Sequence, residues 1–495
     1  MKKIPFPIIT LFLSLLLVLN CNSKKEQLYL TPNPVIPTPL QMEYQHMETI
    51  GFVHFTVNTF SDKEWGYGDE NPEVFNPTQL DAEQWVTVAK SAGLKELILT
   101  AKHHDGFCLW PSAYTEHSVK NSPYKNGKGD IVLEFVTACR KHGLKVGLYL
   151  SPWDRNHKDY GKPEYITYYR NQLRELLTQY GEINEIWFDG ANGGDGYYGG
   201  ANETRTIDGK TYYDWENTFK LVKELQPNIL IFSDAGPDIH WIGNEKGFAG
   251  KTFWSTITKD SLVIGHSDTN YLNTGDPNGK QWMIGQCDVS IRPGWFYHVS
   301  EDSLVKSPQE LVDLYYKSVG RNAVLLLNLP PDKRGIIHEN DVIALKDFKQ
   351  IIDSTFANDL AKDAKATANS IRFDDQKFSP EMVLDASDET FWATDDAFLP
   401  SELTIDFGKD TYFDRILIQE PVQLGQRIGK FQIEVLNEND WHLVFEGTTI
   451  GYKRIIRITP VHTSKMRLKI TDANNTVAIS KVGVYKASEK EANNF

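Results

Sequence analysis

The chain has 495 residues, enough for two or three domains and a large core, with an ordinary 40% hydrophobic and 24% charged content. Its formal charge of −14 and the lack of any basic run argue against a nucleic-acid partner. The 12 Trp and 22 Tyr suit flat, apolar-faced ligands such as carbohydrates, although many of these rings must be core.

Met1-Lys2-Lys3 followed by an apolar run over 8–19 predicts an export signal, too short and too terminal for a membrane span. Cys21 after Val18-Leu19-Asn20 resembles a bacterial lipobox, with Asn20 a poor match to the small residue usual there. Residues 1–21 are therefore read as a signal of lipoprotein type, which implies the periplasm or cell envelope and a lipid anchor as the sole link to a membrane. Residues 22–45, polar and proline-rich, read as a tether. The three remaining cysteines, Cys108, Cys139 and Cys287, sit in apolar surroundings and read as buried free thiols.

From residue 50 the pattern alternates. Strand-like runs at 50–55, 94–101, 144–150, 184–189, 228–233, 282–286 and 324–329 are separated by helical spacing at 78–93, 131–143, 164–180, 213–225 and 308–320. This alternation predicts an α/β fold, a (β/α) barrel of the eightfold type over 46–355. A doubly wound sheet is disfavoured because no glycine-rich dinucleotide turn follows an early strand. Residues 248–281 are irregular, so eight regular units are not claimed. Near residue 355 the grammar changes to short alternating strands at 403–407, 415–419, 431–436, 441–445, 455–458 and 466–470, which predicts an all-β sandwich over 356–495.

Polar residues close successive strands of the first half: His54, then His103 and His104, then Tyr149, then Asp189. In a parallel barrel they converge on one mouth. Asp189 ends the apolar run Asn184-Glu185-Ile186-Trp187-Phe188 and precedes glycines, a pattern that a simple turn would also give. A metal site of His54, His103 and His104 is the weaker reading, since no carboxylate stands at a ligand spacing. Trp65, Trp187 and Trp295 instead suggest a pocket for a sugar ring. Glycoside hydrolysis needs two carboxyl groups, and Glu245, among Trp241, Ile242 and Phe248, is the second candidate, in surroundings that would raise its pKa. Asp238 reads as the start of a turn.

These residues fall in motifs that resemble the α-L-fucosidases of glycoside hydrolase family 29. The motifs are Gly51-Phe52-Val53-His54-Phe55, Glu64-Trp65, Ala101-Lys102-His103-His104-Asp105-Gly106-Phe107, Trp187-Phe188-Asp189-Gly190 and Trp241-Ile242-Gly243-Asn244-Glu245. Ile291-Arg292-Pro293-Gly294-Trp295-Phe296-Tyr297-His298 and Leu327-Asn328-Leu329-Pro330-Pro331 also fit. The resemblance implies a retaining exo-hydrolase of terminal fucose that needs no cofactor for catalysis. Asp189 would be its nucleophile, and His54, Glu64, Trp65, His103, His104, Tyr149, Trp187 and Trp295 its fucose-binding residues. The Gly-Asn-Glu form is similar to the branch specific for α-1,3/1,4-linked fucose of Lewis-type glycans, which would make Glu245 the acid/base. Two alternatives stand beside it: the same chemistry with broad linkage tolerance including α-1,2, and a non-catalytic glycan-capture lipoprotein. The sandwich resembles discoidin-like carbohydrate-binding domains, here read as bracing the barrel. Within it Asp385, Asp388 and Thr390 match a loop that in many such domains holds calcium, with a metal-free hydrogen-bonded turn as the alternative.

Overall fold

The computed structural model describes residues 30–492 apart from Ala386 and Asp388. The export signal and Cys21 lie outside the described residues. Eight parallel strands close into a barrel: β1 (Thr49–Val53), β2 (Glu96–Lys102), β3 (Lys145–Leu150), β4 (Glu185–Trp187), β5 (Leu230–Ser233), β6 (Ile239–Trp241), β7 (Ile284–Ser290) and β8 (Val324–Asn328). They neighbour one another in chain order, and β8 pairs with β1 from Thr49↔Leu325 to Phe52↔Asn328.

Strand β6 is a correction. No strand is expected between 233 and 282, yet Ile239–Trp241 pairs with both β5 and β7. Three residues beside a Gly-Pro-Asp turn are too few for a pattern to show. Asp238 does serve the turn: it accepts hydrogen bonds from Lys223 Nζ and the Ile231 N–H, each at 2.9 Å.

The outer helices include α2 (Ala82–Ser91), α3 (Ile131–His142), α4 (Pro163–Gln179), α5 (Trp215–Leu225), α6 (Pro308–Lys317) and α7 (Glu339–Phe356), preceded by α1 (Pro39–Gln45). Their apolar faces cover strands whose own residues are almost all buried, the mark of a parallel sheet covered on both sides. Local chemistry sets their ends. The Asp130 carboxylate accepts from the Leu133 N–H at 2.9 Å to start α3, and Gly143 ends it at φ 73°.

Helix α1 corrects the expected tether. Thr38 and Gln41 form a capping box and Pro39 occupies the first turn, so seven residues of the proline-rich segment are helical. Gln41 Nε2 donates to the carbonyls of Asp238 and Trp282, which seats α1 under the N-terminal end of the barrel.

Beyond α7 lies an antiparallel β-sandwich. Its main sheet contains β9 (Lys365–Ala368), β10 (Ser401–Gln419), β11 (Ile428–Asn437), β12 (Asp440–Thr448), β13 (Arg454–Ala473) and β14 (Lys481–Tyr485). The short strands expected at 403–407 and 415–419 are two parts of β10, and those at 455–458 and 466–470 are two parts of β13. Register shifts between Asp406 and Thr411 and between Phe413 and Arg415 bend β10 around the polar Gly408-Lys409-Asp410. Gln426 bonds the Ser255 N–H and Phe253 carbonyl of the barrel at 2.9 Å each, and Arg415 pairs with Glu491 at 2.8 Å beside Tyr316 of α6. The cysteines at 108, 139 and 287 are buried and free.

Candidate active site

The C-terminal ends of the strands surround a cavity of about 370 Å³. Of the residues expected there, His54, Trp65, His103, His104, Tyr149, Trp187, Asp189, Glu245 and Trp295 line it. The wall is mixed: rings give apolar faces, and a few polar atoms converge, as in a sugar site.

Asp189 stands just beyond the end of β4, after Phe188. Its Oδ1 accepts from the Ala191 N–H at 2.7 Å and its Oδ2 from the Tyr149 hydroxyl at 3.0 Å. Burial pushes its pKa above the usual aspartate value, while both hydrogen bonds pull it back. The donors therefore favour the carboxylate that attack would require. Gly190 has a steric reason to be glycine, because a Cβ there would collide with the Asp234 carboxyl.

The three histidines are neutral. Burial lowers His54 and His104 to about 3 and His103 well below its ordinary value. Two tautomers follow from the network. Asn328 Nδ2 donates to Ser290 Oγ and the Trp295 carbonyl, so its Oδ1 accepts from His54 Nδ1–H at 2.8 Å. Ser151 Oγ donates to the Trp153 carbonyl at 2.7 Å, so it accepts from His104 Nδ1–H at 2.7 Å. Both Nε2 atoms are thereby left as acceptors, and that of His104 stands 3.8 Å from Asp189 Oδ2. Such atoms receive hydroxyl hydrogens.

Glu245 follows β6 on a turn fixed by Gly243 at φ 86°, where a Cβ would strike the Thr269 carbonyl. Asn244 Nδ2 donates to the Phe248 carbonyl at 3.0 Å and its Oδ1 accepts from the Lys246 N–H, which holds the same turn. Glu245 Oε2 accepts from Trp295 Nε1 at 3.2 Å. Burial raises its pKa, and the negative charges of Asp189 and Glu64 raise it further against the lowering effect of Trp295. One carboxyl with two donors and another pressed toward its protonated form make an acid and a base of the same functional group.

Glu64 is not among the residues lining this cavity. Its carboxylate accepts from the N–H groups of Trp295 and Phe296 at 2.7 and 3.0 Å and from His298 at 2.7 Å. It clasps the loop that carries Trp295. Phe52, Trp241, Asp234 and Asp288 were not foreseen as lining residues. Asp234 stands directly after β5 as Asp189 stands after β4, so the rule that found one would have found the other. Its Oδ2 accepts from the Gly265 N–H at 2.9 Å, and burial together with Asp189 raises its pKa to about 7. Asp288, a lone acid within the apolar run of β7, accepts from Trp241 Nε1 at 2.9 Å and is raised well above its ordinary value, first by burial and then by Glu245.

In the sandwich, Asp385 accepts from the Ser387 N–H at 2.9 Å and the Thr390 hydroxyl at 2.7 Å, while Lys481 Nζ donates to its carbonyl. These donors form a hydrogen-bonded turn with the Lys481 ammonium beside it; Asp388 lies outside the described residues. Among the described residues no group of three or more His, Cys, Asp or Glu is arranged to hold a metal.

The alpha-L-fucosidase family profile matches residues 38–353, and that of the F5/8 type C domain matches 365–482. Over 481 residues the chain is 43% identical to Alpha-L-fucosidase 1 of Arabidopsis thaliana, covering 96% of this chain and 92% of that one. A crystal structure of a glycoside hydrolase 29 family member from an unknown rumen bacterium is 47% identical, with a TM-score of 0.83 over 92% of this chain and 78% of that one. A Ruminococcus gnavus GH29 fucosidase in complex with fucose gives a TM-score of 0.83 at 36% identity, covering 93% of this chain and 97% of its own.

Proposed function

From the premise that this chain belongs to the alpha-L-fucosidase family, a glycoside hydrolase of terminal fucose with a C-terminal F5/8 type C (discoidin) domain, we propose a retaining mechanism selective for α-1,3/1,4 linkages. Asp189 attacks the anomeric carbon while Glu245 delivers its proton to the leaving glycan oxygen. A fucosyl ester on Asp189 results. Glu245, now a carboxylate, takes a proton from water, whose oxygen displaces Asp189 and restores both groups. The bare Nε2 atoms of His54 and His104 receive hydroxyl hydrogens of the sugar, with Trp65 and Trp295 against its ring. This chemistry uses two carboxyl groups and no cofactor. The leader at 1–21 suits an exported enzyme acting on fucosylated oligosaccharides or glycoconjugates.

The observation that carries the reading is the unequal treatment of two carboxyls in one cavity. Asp189 receives the Ala191 N–H and the Tyr149 hydroxyl, and its charge helps to keep the proton on Glu245. The linkage preference rests on the likeness of the Gly243-Asn244-Glu245 sequence to the α-1,3/1,4-specific branch of the family. The test is fucose release from Lewis x and Lewis a trisaccharides beside 2′-fucosyllactose and an aryl α-L-fucoside, with the first-formed anomer read by NMR. Release from the Lewis sugars with 2′-fucosyllactose left intact, and an α-fucose first product, is expected. Equal release from 2′-fucosyllactose would overturn the linkage reading, and a β-fucose first product the double displacement.

A further inference from the structure

A second cleft, about 650 Å³, opens on the seam between barrel and sandwich, away from the strand ends that form the active site. The barrel gives Lys251, the end of α6 and Arg321; the sandwich gives Lys430, the end of β12 and the start of β13. Six cations line it: Lys251, Lys317, Arg321, Lys430, Arg454 and Arg457. The lining carboxylates do not balance them. Asp313 is taken by Lys317 at 2.6 Å and Arg457 at 2.7 Å, and Glu446 accepts from Gln432 at 2.8 Å. Among the described residues no carboxylate pairs with Lys251, Arg321, Lys430 or Arg454.

Arg454 is the telling member. Only 6% of it is exposed, and its Nη1 donates to the Lys251 carbonyl at 2.9 Å. Among the described residues Nε and Nη2 have no acceptor. Its backbone bridges to that of Arg321, whose own guanidinium donates to the Ala249 carbonyl at 2.7 Å. Burial and the neighbouring Arg321 charge depress Arg454 to about 10, and burial also lowers Arg321. A buried charge without a paired counter-charge is costly, and the half-buried Arg321 sets a like charge beside it. Two acids of this chain of net charge −14 do line the cleft, but Asp313 is held by Lys317 and Arg457 and Glu446 by Gln432, and neither forms an ion pair with Arg454 or Arg321.

We propose that this cleft binds the sulfate or carboxylate group of an acidic saccharide, with Arg454 and Arg321 as the anion-holding pair and Lys251 and Lys430 at its rim. A guanidinium fork matches a planar or tetrahedral oxyanion through two parallel hydrogen bonds. The saccharide follows from the rest of the wall. The cleft is larger than the cavity of the active site, so an inorganic anion would leave it mostly empty. Phe445 supplies an apolar ring face, and Thr252 and Thr448, whose hydroxyls meet at 2.6 Å, supply groups that bond sugar hydroxyls. The second site would hold an acidic glycan while the barrel trims fucose from it or from its neighbour. The choice of saccharide over other anions rests on this wall and on the glycosidase reading of the barrel, and neither the linkage preference nor the identity of the acid/base enters it.

Isothermal titration of the full chain with 6-sulfo-N-acetyllactosamine, digalacturonate, neutral N-acetyllactosamine and sodium sulfate tests it. The two acidic saccharides are expected to bind at least tenfold tighter than either the neutral one or sulfate, with binding lost as salt rises. Arg454→Gln should weaken them tenfold or more. The exposed pair Lys251→Ala/Lys430→Ala, which removes no buried group, should weaken them severalfold, so the result stands even if Arg454→Gln folds poorly. Turnover of an aryl fucoside should be unchanged in every variant. Equal binding of acidic and neutral sugars, sulfate binding as tightly as the saccharides, or wild-type affinity in the lysine pair would each overturn the proposal. Because the readout is binding, failure of the catalytic assignments would leave this result intact.

Discussion

The two ends of one barrel both bury carboxyl groups, and they use them in opposite ways. At the base, Glu96 and Glu185 are wholly enclosed. Glu96 accepts from Asn184 at 2.8 Å and Glu185 from Gln286 at 3.0 Å, and Tyr44 of α1 covers them. Burial raises Glu96 to about 8 and Glu185 well above its ordinary value, with Glu96 adding to the second shift. At the mouth, Asp189 and Glu245 are also raised, yet they face a cavity. A perturbed carboxyl alone therefore marks no active site. What separates the ends is access: the mouth has a cavity into which donors and acceptors project, while the base has amides and a helix that seal it. Gln286 touches both regions, since its Oε1 accepts from Trp187 Nε1 at 2.8 Å while its Nε2 serves Glu185.

The comparison breaks most sharply at Asp189. Asp189→Ala should lower kcat/KM by roughly 10³-fold or more on every fucoside, as expected for loss of a nucleophile. The melting temperature should hold, since the variant relieves a buried acid at the rim of a cavity. Residual activity within tenfold of wild type would return Asp189 to the rank of the base carboxyls. Glu245→Gln should follow, with a loss of about 10²–10⁴-fold on Lewis trisaccharides and a far smaller one on an aryl fucoside whose leaving group needs no proton. The sign of its pH dependence is fixed by its raised pKa. The protonated form is the acid, so wild-type activity on Lewis trisaccharides falls as pH rises through that value, and the residual activity of the glutamine variant on them should lack this alkaline limb. An unchanged limb would give the titration to Asp234 or Asp288 instead.

The mouth was more legible in the sequence than the base. Strand-end residues carry side chains whose type betrays them, so His54, His103, His104, Tyr149 and Asp189 could be read from position alone. The bonding of Glu64 was not legible: it stands beside Trp65, but its oxygens accept from N–H groups that include one 231 positions away. Strand β6 and helix α1 escaped because a three-residue strand shows no period and a proline-rich segment resembles a tether until its cap is seen. Asp288 sits in a run that reads as core, and only barrel closure turns that position toward the cavity. The long strands β10 and β13 were cut in two because a bulge and a turn use the same small polar residues.

A smaller effect sharpens the line between touching the sugar and holding what touches it. Glu64→Gln removes the charge that grips the Trp295 and Phe296 N–H groups and His298, leaving the cavity wall chemically the same. Its cost should fall on KM, roughly tenfold by loss of one side of the ring pocket, with kcat changed less. An equal fall in kcat with KM unmoved would place Glu64 in the chemical step after all.

The smallest effect on activity, and the clearest on stability, belongs to the base. Glu96 holds its proton in the folded chain up to about pH 8 but gives it up near its ordinary value of 4.5 when unfolded. Folding therefore binds a proton across that interval. The stability Glu96 contributes is complete below pH 4.5 and is lost as pH rises through 8. Glu96→Gln keeps the shape, offers its oxygen to Asn184 and never ionises. It should melt like wild type at pH 5 and above wild type at pH 8.5, by on the order of a few kcal/mol in unfolding free energy, with fucoside turnover unchanged. The difference between the two proteins isolates this one group, because the other raised acids titrate in both. If the melting curves of wild type and variant stay parallel from pH 5 to 8.5, the Glu96 carboxyl is solvated as the mouth carboxyls are, and the sealed base that distinguishes one end of the barrel from the other does not exist.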